Sequence, residues 1–534
     1  MRSARCITIL LLFALQSAWA KNRSVEQHTY QNPILFADYS DPDVIRDGNN
    51  YYLVASTFHF VPGIPILQSN DLVHWTILGH VISRLDLNEQ YSLIGGNKYG
   101  EGVWAPAIRR HKGLFYVYFP TPKEGIFVST AGKITGPWSK PVAVIAKPGL
   151  EDPCPFWDDD GHAYLVHSRV GAGPLILHRM AADGLSVLDD GREIVNDPKN
   201  LHTLEGPKLY KMRGYYYIFA PFGGVATGSQ AVLRSKSIYG PYEHHVVLAQ
   251  GDTDVNGPHQ GAYVETQNGQ GWFIHFQQRG AHGRIVHLEP VRWQDDWPVI
   301  GKADAGATTG EPVAEGPIPY HKRRSLDQRP QTSDEFDGKV LGPQWEWNHN
   351  PDDVHWSLTE RPGFLRLKLM PAVDLFHARN TLTEMMQDES FELTARLDLT
   401  HLDDGDHTGL VMFERNANGL EITQEHGVRN LHFWQANSSS DESASAAIPV
   451  LQTVQLQVRI QGNTANYFYS TDEGKEFHPL GPSAALAFGW WKGSRPAIFA
   501  FTTGSASSGF VDVDWVHYQK LQRDNVSADG SNSH

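Results

Sequence analysis

With 534 residues, 40% of them hydrophobic and 20% charged, the chain has room for about two to four domains and is too apolar for wholesale disorder. A formal net charge of −15 argues against nucleic acid and against an anionic membrane surface as partners. Two cysteines exclude a disulfide scaffold and every Cys-rich zinc module, while 49 Gly and 32 Pro point to many turns and hence to β-structure.

Residues 1–20 read as a secretory signal peptide. Arg2 and Arg5 give a positive start, an apolar run follows from Ile7 to Leu15, and Ala18-Trp19-Ala20 supplies the small-x-small cleavage pattern. The run is too short to span a bilayer, and no other stretch approaches the ~20 apolar residues that a span needs. The expectation is an exported protein, secreted or periplasmic, whose processing removes Cys6 and leaves Cys154 as its one thiol.

Residues 28–320 carry a repeat. A polar residue and a Gly precede an aromatic-rich strand five times: Asp47-Gly48 before Tyr51-Tyr52-Leu53-Val54, Lys112-Gly113 before Phe115-Tyr116-Val117-Tyr118, Asp160-Gly161 before Ala163-Tyr164-Leu165-Val166, Arg213-Gly214 before Tyr215-Tyr216-Tyr217-Ile218, and Gln270-Gly271 before Trp272-Phe273-Ile274-His275. Gly supplies the positive φ of a tight hairpin turn, and aromatic and β-branched residues favour strands. A short strand precedes each turn, and further strands ending near aromatic turns complete most units. Units of about fifty residues with four short strands are propeller blades, so the segment is expected to be a five-bladed β-propeller. Residues 321–334, with Lys322-Arg323-Arg324, read as a linker. From 335 to 522 the chain alternates without the repeat, as in Phe364–Leu369, Val454–Val458 and Phe510–Asp514, and is expected to be a β-sandwich. Residues 523–534 are Ser/Asn-rich and read as a disordered tail.

The innermost strand of each blade lines the channel of a propeller, so residues at equivalent blade positions share one funnel. Just ahead of the five turns stand Asp41, Trp104, Asp152, Glu205 and His259, lying 7, 9, 9, 9 and 12 residues before the hairpin Gly. Three blades thus open with a carboxylate followed at once, or after one residue, by Pro. Carboxylates converging in one pocket repel one another and cannot all ionise at their reference pKa. That arrangement suits hydrolysis of a glycosidic bond, in which one carboxylic acid protonates the leaving oxygen and another carboxylate activates water.

The same segments carry a family resemblance. Asn32-Pro33-Ile34-Leu35 with Ser40-Asp41-Pro42-Asp43, Gly102-Val103-Trp104-Ala105-Pro106, Glu151-Asp152-Pro153, Glu205-Gly206-Pro207 and Gly257-Pro258-His259-Gln260-Gly261, in this order and spacing, resemble glycoside hydrolase family 43, five-bladed propellers that invert the anomeric centre. The C-terminal part, through Trp345-Glu346-Trp347-Asn348-His349-Asn350-Pro351, looks like the concanavalin-like accessory domain of the family's β-xylosidase-type members. The resemblance implies Asp41 as general base, Glu205 as general acid and Asp152 as pKa modulator and orienter. Glu151 adjoins Asp152. Because neighbours on a strand point to opposite faces, only one of the two is expected in the pocket, and the motif selects Asp152.

Trp104 and Phe58 are candidates to stack on a sugar face. Arg284, in His282-Gly283-Arg284, resembles a family position that hydrogen-bonds substrate hydroxyls, the other reading being a surface salt bridge. His259 is expected near the channel axis, where similar enzymes hold a water or a calcium ion; calcium takes about six to eight oxygen ligands, so one His does not establish a metal, and the chemistry requires no cofactor. Asp158-Asp159-Asp160 reads as a solvated turn and Cys154 as a buried structural thiol. Asn22, Asn437 and Asn525 begin glycosylation sequons, meaningful only in a eukaryotic secretory host. The expected function is an exo-β-xylosidase releasing terminal xylose from β-1,4-xylo-oligosaccharides or xylan. An α-L-arabinofuranosidase or a bifunctional enzyme is the close rival, ahead of an endo-arabinanase, a fructan-active retaining enzyme or a non-catalytic carbohydrate-binding propeller.

Overall fold

A computed structural model describes residues 29–321, 328–436 and 447–522, with the backbone of 442–444. Residues 1–20, read above as a signal peptide, with Cys6, the three sequon asparagines, the tail and positions 322–327 of the linker, lie outside the described residues. Within them the fold is almost entirely β; the only helices are three short 3-10 turns.

Five four-stranded antiparallel sheets follow one another along the chain. Their first strands are Asp43–Asp47, Ala107–His111, Leu150–Trp157, Lys208–Met212 and His259–Glu265. Each second strand is buried on both sides, and its alternation feeds two different cores. Tyr51 and Leu53 face the core shared with the fifth blade, while Tyr52 and Val54 face the second blade. Phe115, Val117 and Phe119 return that contact as Tyr116 and Tyr118 turn to the third. Ala163/Leu165 against Tyr164/Val166, and Tyr217/Phe219 against Ile218/Ala220, repeat the division. Trp272 and Ile274 close the ring on the first blade. Strands with two apolar faces read as continuous hydrophobic runs, which is why the repeat is so rich in aromatics. The blades therefore form a five-bladed propeller, and the first strand of the fifth packs against that of the first.

The ends of the propeller are tied together. Thr29–Gln31 pairs with Glu315–Pro317, and the Asn32 side chain donates to the Leu288 and Val313 carbonyls while accepting from the Leu288 N–H. The hairpin turns at Lys112-Gly113 and Arg213-Gly214 have both residues at positive φ, the two-residue geometry that matches strand twist. The fifth turn is displaced from its expected position. Gly269 takes the positive φ (+80°), whereas Gly271 opens the second strand, where a Cβ would lie 2.8 Å from the Tyr263 ring. Gly271 is thus kept small by packing rather than by turn geometry.

The C-terminal part is a sandwich of two antiparallel sheets. Its core interleaves Leu410, Leu420, Ile422 and Ile498 with Leu365, Leu393, Leu456 and Val511. Strand Arg495–Thr502 is buried along its whole length, because Ile498 and Ala500 face that core while Phe499 and Phe501 face a second apolar cluster, which Phe60 of the first blade joins. Phe60–Val61 of the first blade extends the sandwich sheet, pairing with Trp347 and Asn348. Beneath this joint Glu346 and Arg495 form a buried 2.5 Å ion pair, and the guanidinium lies over the Phe60 ring. The domains thus share a sheet and an apolar face, which fixes the sandwich beside one mouth of the propeller.

Candidate active site

All seven residues singled out from the sequence line one cavity of about 370 Å3: Asp41, Phe58, Trp104, Asp152, Glu205, His259 and Arg284. They come from all five blades, as expected of equivalent positions around one axis. Asp41 and Asp152 both precede a proline and both adopt left-handed backbone conformations (φ 55° and 56°), a strained state that clusters at functional sites.

The Asp41 carboxylate is buried in a cradle of donors. Its Oδ2 accepts from Ser40 Oγ at 2.9 Å and Ser56 Oγ at 2.6 Å, and its Oδ1 pairs with the Arg284 guanidinium at 2.9 Å. Arg284 is therefore in an ion pair, but a buried one inside the cavity rather than at the surface. Its backbone N–H is held by Asp38 Oδ1. Gly283 has to be glycine there: it sits at φ +74°, and a Cβ would lie 2.2 Å from the Asp38 carboxyl carbon.

The same cavity holds Glu151, Asp152 and Glu205, whose carboxylate oxygens lie within 4.8 Å of one another. The expectation that only one of Glu151 and Asp152 faces the pocket is overturned, because both line it. Glu151 pairs with Ser168 and Cys154 with Val166, so three steps on one strand match two on the other. This bulge at the left-handed Asp152 cancels the alternation. A second bulge does the same in the fifth blade, at left-handed Gln260 (φ 36°), and brings Gln260 into the cavity beside His259.

Asp152 accepts from Gly206 N–H (2.8 Å), Ser168 Oγ (3.1 Å) and Gln260 Nε2 (2.9 Å), so the peptide after Glu205 is anchored on it. Burial, then the Glu205 charge, push its carboxyl up to about 6. Burial and the charges of Asp152 and Glu205 push Glu151 to about 9. Glu151 Oε1 accepts from Ala172 N–H. Glu151 and Asp152 are thus both held above the usual carboxylate range by burial and by the acids beside them. Glu205 is the most open of the three and shares a 2.7 Å hydrogen bond with His259 Nε2. His259 Nδ1 is buried without a partner among the described residues, and His259 belongs to no cluster of three or more ligand-bearing side chains.

Aromatic rings form the rest of the wall. Trp104 meets Phe58 and Trp491 edge to face, each at 6.1 Å, and the Arg284 guanidinium lies 4.8 Å from the Phe276 centroid. Trp491 comes from the sandwich, is about half exposed, and was not foreseen; nothing in its own segment signals that it crosses to the propeller. Away from the cavity, Asp158 accepts from Tyr216 OH and Lys211 at a turn with Gly161 at φ +85°, and Cys154 is a buried free thiol receiving an Arg109 N–H.

A five-bladed propeller whose blades bring acids together in an aromatic-walled cavity is the architecture of a glycoside hydrolase. Residues 30–298 match the model for glycosyl hydrolases family 43 and residues 333–519 that for the beta-xylosidase C-terminal concanavalin A-like domain, and the chain belongs to that family. It is 42% identical over 470 residues to a putative beta-xylosidase of Xylanibacter ruminicola, covering 88% of this chain and 85% of that one. It is 30% identical to a non-reducing end alpha-L-arabinofuranosidase of Bacteroides ovatus, covering 97% and 99%. A GH43 protein from Bacillus licheniformis superimposes with a TM-score of 0.82 at 29% identity, over 92% of this chain and 100% of the other.

Proposed function

We propose that this glycoside hydrolase is an exported, inverting exo-β-xylosidase that releases terminal xylose from β-1,4-xylo-oligosaccharides. The observation that carries the reading is the cavity itself. Asp41 and the Glu151–Asp152–Glu205 cluster share a space near the small end of ordinary ligand pockets, walled on one side by Trp491 of the sandwich. A pocket of that size, closed by a second domain, suits one chain end rather than the middle of a polymer.

In this reading Glu205, the most accessible acid, donates its proton to the glycosidic oxygen as that bond breaks. Asp41, held by Ser40, Ser56 and Arg284, takes a proton from the water that attacks the anomeric carbon from the opposite face, so the configuration inverts. Asp152 orients Glu205 through the Gly206 peptide and adds negative charge beside it. Trp104 and Phe58 offer apolar faces to the ring, and Arg284 offers hydrogen bonds. No cofactor takes part in these steps, and none is routed through a metal at His259. The positive start, apolar run and Ala-x-Ala site of residues 1–20 support export to a periplasm or beyond.

The xylosidase-named relative at 42% identity favours xylose, and the arabinofuranosidase-named relative keeps arabinofuranose as the second reading. Product analysis on xylobiose, arabinoxylan and linear arabinan separates them. Xylose from xylobiose as the main product supports the proposal; arabinose alone, released from arabinoxylan or arabinan, replaces it with the second reading.

A further inference from the structure

Each group that touches the Asp41 carboxylate is tied to one segment of the sandwich. We infer that Lys492, which lies outside the cavity, is a positioning residue for the base: its ammonium group pins the Asp38–Asp41 loop and Ser56 against the catalytic pocket. The inference rests on the role of Asp41 proposed above. Lys492 is fully buried, and its Nζ donates to the Asp38 carbonyl at 2.7 Å and the Ser56 carbonyl at 3.2 Å, with Asp38 Oδ2 at 3.3 Å. The next residue adds Gly493 N–H to Asp38 Oδ2 at 3.0 Å. From there the connections run directly to the base. Asp38 Oδ1 holds the Arg284 N–H, and the Arg284 guanidinium holds Ser40 Oγ and Asp41 Oδ1. Ser56, whose carbonyl Lys492 grips, donates its hydroxyl to Asp41 Oδ2 and its N–H to the Ser40 carbonyl. The Nζ also stands 5.7 Å from the Phe58 ring centroid.

One hairpin of the sandwich therefore carries two neighbouring residues with different tasks. Trp491 faces the cavity, and Lys492 faces the loop that carries the base. The titratable groups facing Lys492 are Asp38 from the loop, Glu346 and Arg495 from the sandwich, and His59, which burial keeps neutral, from the first blade. Burial, reinforced by Arg495 and opposed by Asp38 and Glu346, lowers the lysine to about 8. The ammonium is present below that pH and is lost above it, and the hold on Asp38 weakens with it.

The test compares wild type, K492M and K492R on 2,4-dinitrophenyl β-D-xyloside, whose leaving group needs no proton, so that Glu205 does not set the alkaline limb and that limb reads loss of the Lys492 ammonium. K492M is expected to lower kcat by about 10- to 100-fold, the scale for a displaced catalytic group, with KM changed less than threefold. K492R is expected to retain activity and to move the alkaline limb of kcat upward by at least one pH unit. A kcat for K492M within twofold of wild type overturns the inference, as does a loss confined to KM. If K492M does not fold, identical alkaline limbs in wild type and K492R overturn it. An active Asp41→Ala variant, run alongside, reports failure of the underlying assignment instead.

Discussion

At the scale of single residues, the account divides the acids by what surrounds them. Asp41 sits among three donors, one of them Arg284, whereas Glu205 faces other acids and the His259 ring. Glu205→Ala is expected to slow xylobiose by at least ~100-fold and a dinitrophenyl xyloside far less, since a good leaving group needs no acid. Asp41→Ala should abolish both, and steady-state kinetics on the two substrates read the difference. Glu151 gives a separate test through stability. Its carboxyl is neutral in the fold up to about 9 but ionises near 4.5 when unfolded. The folded state thus binds the proton more tightly, and stability falls as pH rises between those values. Glu151→Gln removes that penalty. The gain in Tm should be absent near pH 4 and grow towards pH 9, corresponding to at most ~3 kcal/mol at pH 7. A pH-independent change in Tm would contradict a buried, proton-carrying Glu151.

At the scale of elements, the five hairpins and their apolar second strands were legible because both faces of each strand are buried, so the pattern repeats in composition as well as in spacing. The five leading site positions were legible for a related reason: first strands at equivalent places in a ring must face one axis. Two departures share a cause. The alternation rule failed at Glu151 and left Gln260 unnoticed, because a bulge centred on a left-handed residue resets the faces of a strand, and no side-chain pattern in either segment announces it. The fifth turn slipped by two residues because Gly269 and Gly271 flank Gln270 and only packing against Tyr263 separates their roles. Trp491 belongs to the same class of hidden information, since its placement depends on a sheet shared between domains. Its contribution is expected to lie in binding. Trp491→Ala should raise KM for xylobiose by about 3- to 10-fold, the scale of one aromatic contact, with kcat on an aryl xyloside little changed. Initial-rate measurements on both substrates check this, and an unchanged KM would place the tryptophan outside the substrate's reach.

At the scale of the whole molecule, the sandwich is a structural part of the catalytic unit. The propeller lends Phe60–Val61 to a sandwich sheet, and the sandwich covers that joint with Phe499, Phe501 and the buried Glu346–Arg495 pair. Arg495 and His80 hold the Glu346 carboxyl down at about 2 against the cost of burial. A depressed carboxyl contributes stability above its unfolded value near 4.5 and loses it as pH falls towards 2, opposite in sign to Glu151. Arg495→Met leaves Glu346 buried with only the 3.4 Å His80 contact and should cost about 3–5 kcal/mol at neutral pH, with the deficit shrinking in acid, as denaturant unfolding at pH 7 and pH 3 would measure. The central claim, however, concerns the pocket: acids from separate blades act across one sugar as a proton donor and a water-activating base. Proton NMR of the anomer released first from 4-nitrophenyl β-D-xyloside tests it most directly. α-Xylose is expected first, mutarotating later to the equilibrium mixture; β-xylose appearing first would mean retention through a covalent intermediate and would contradict these roles.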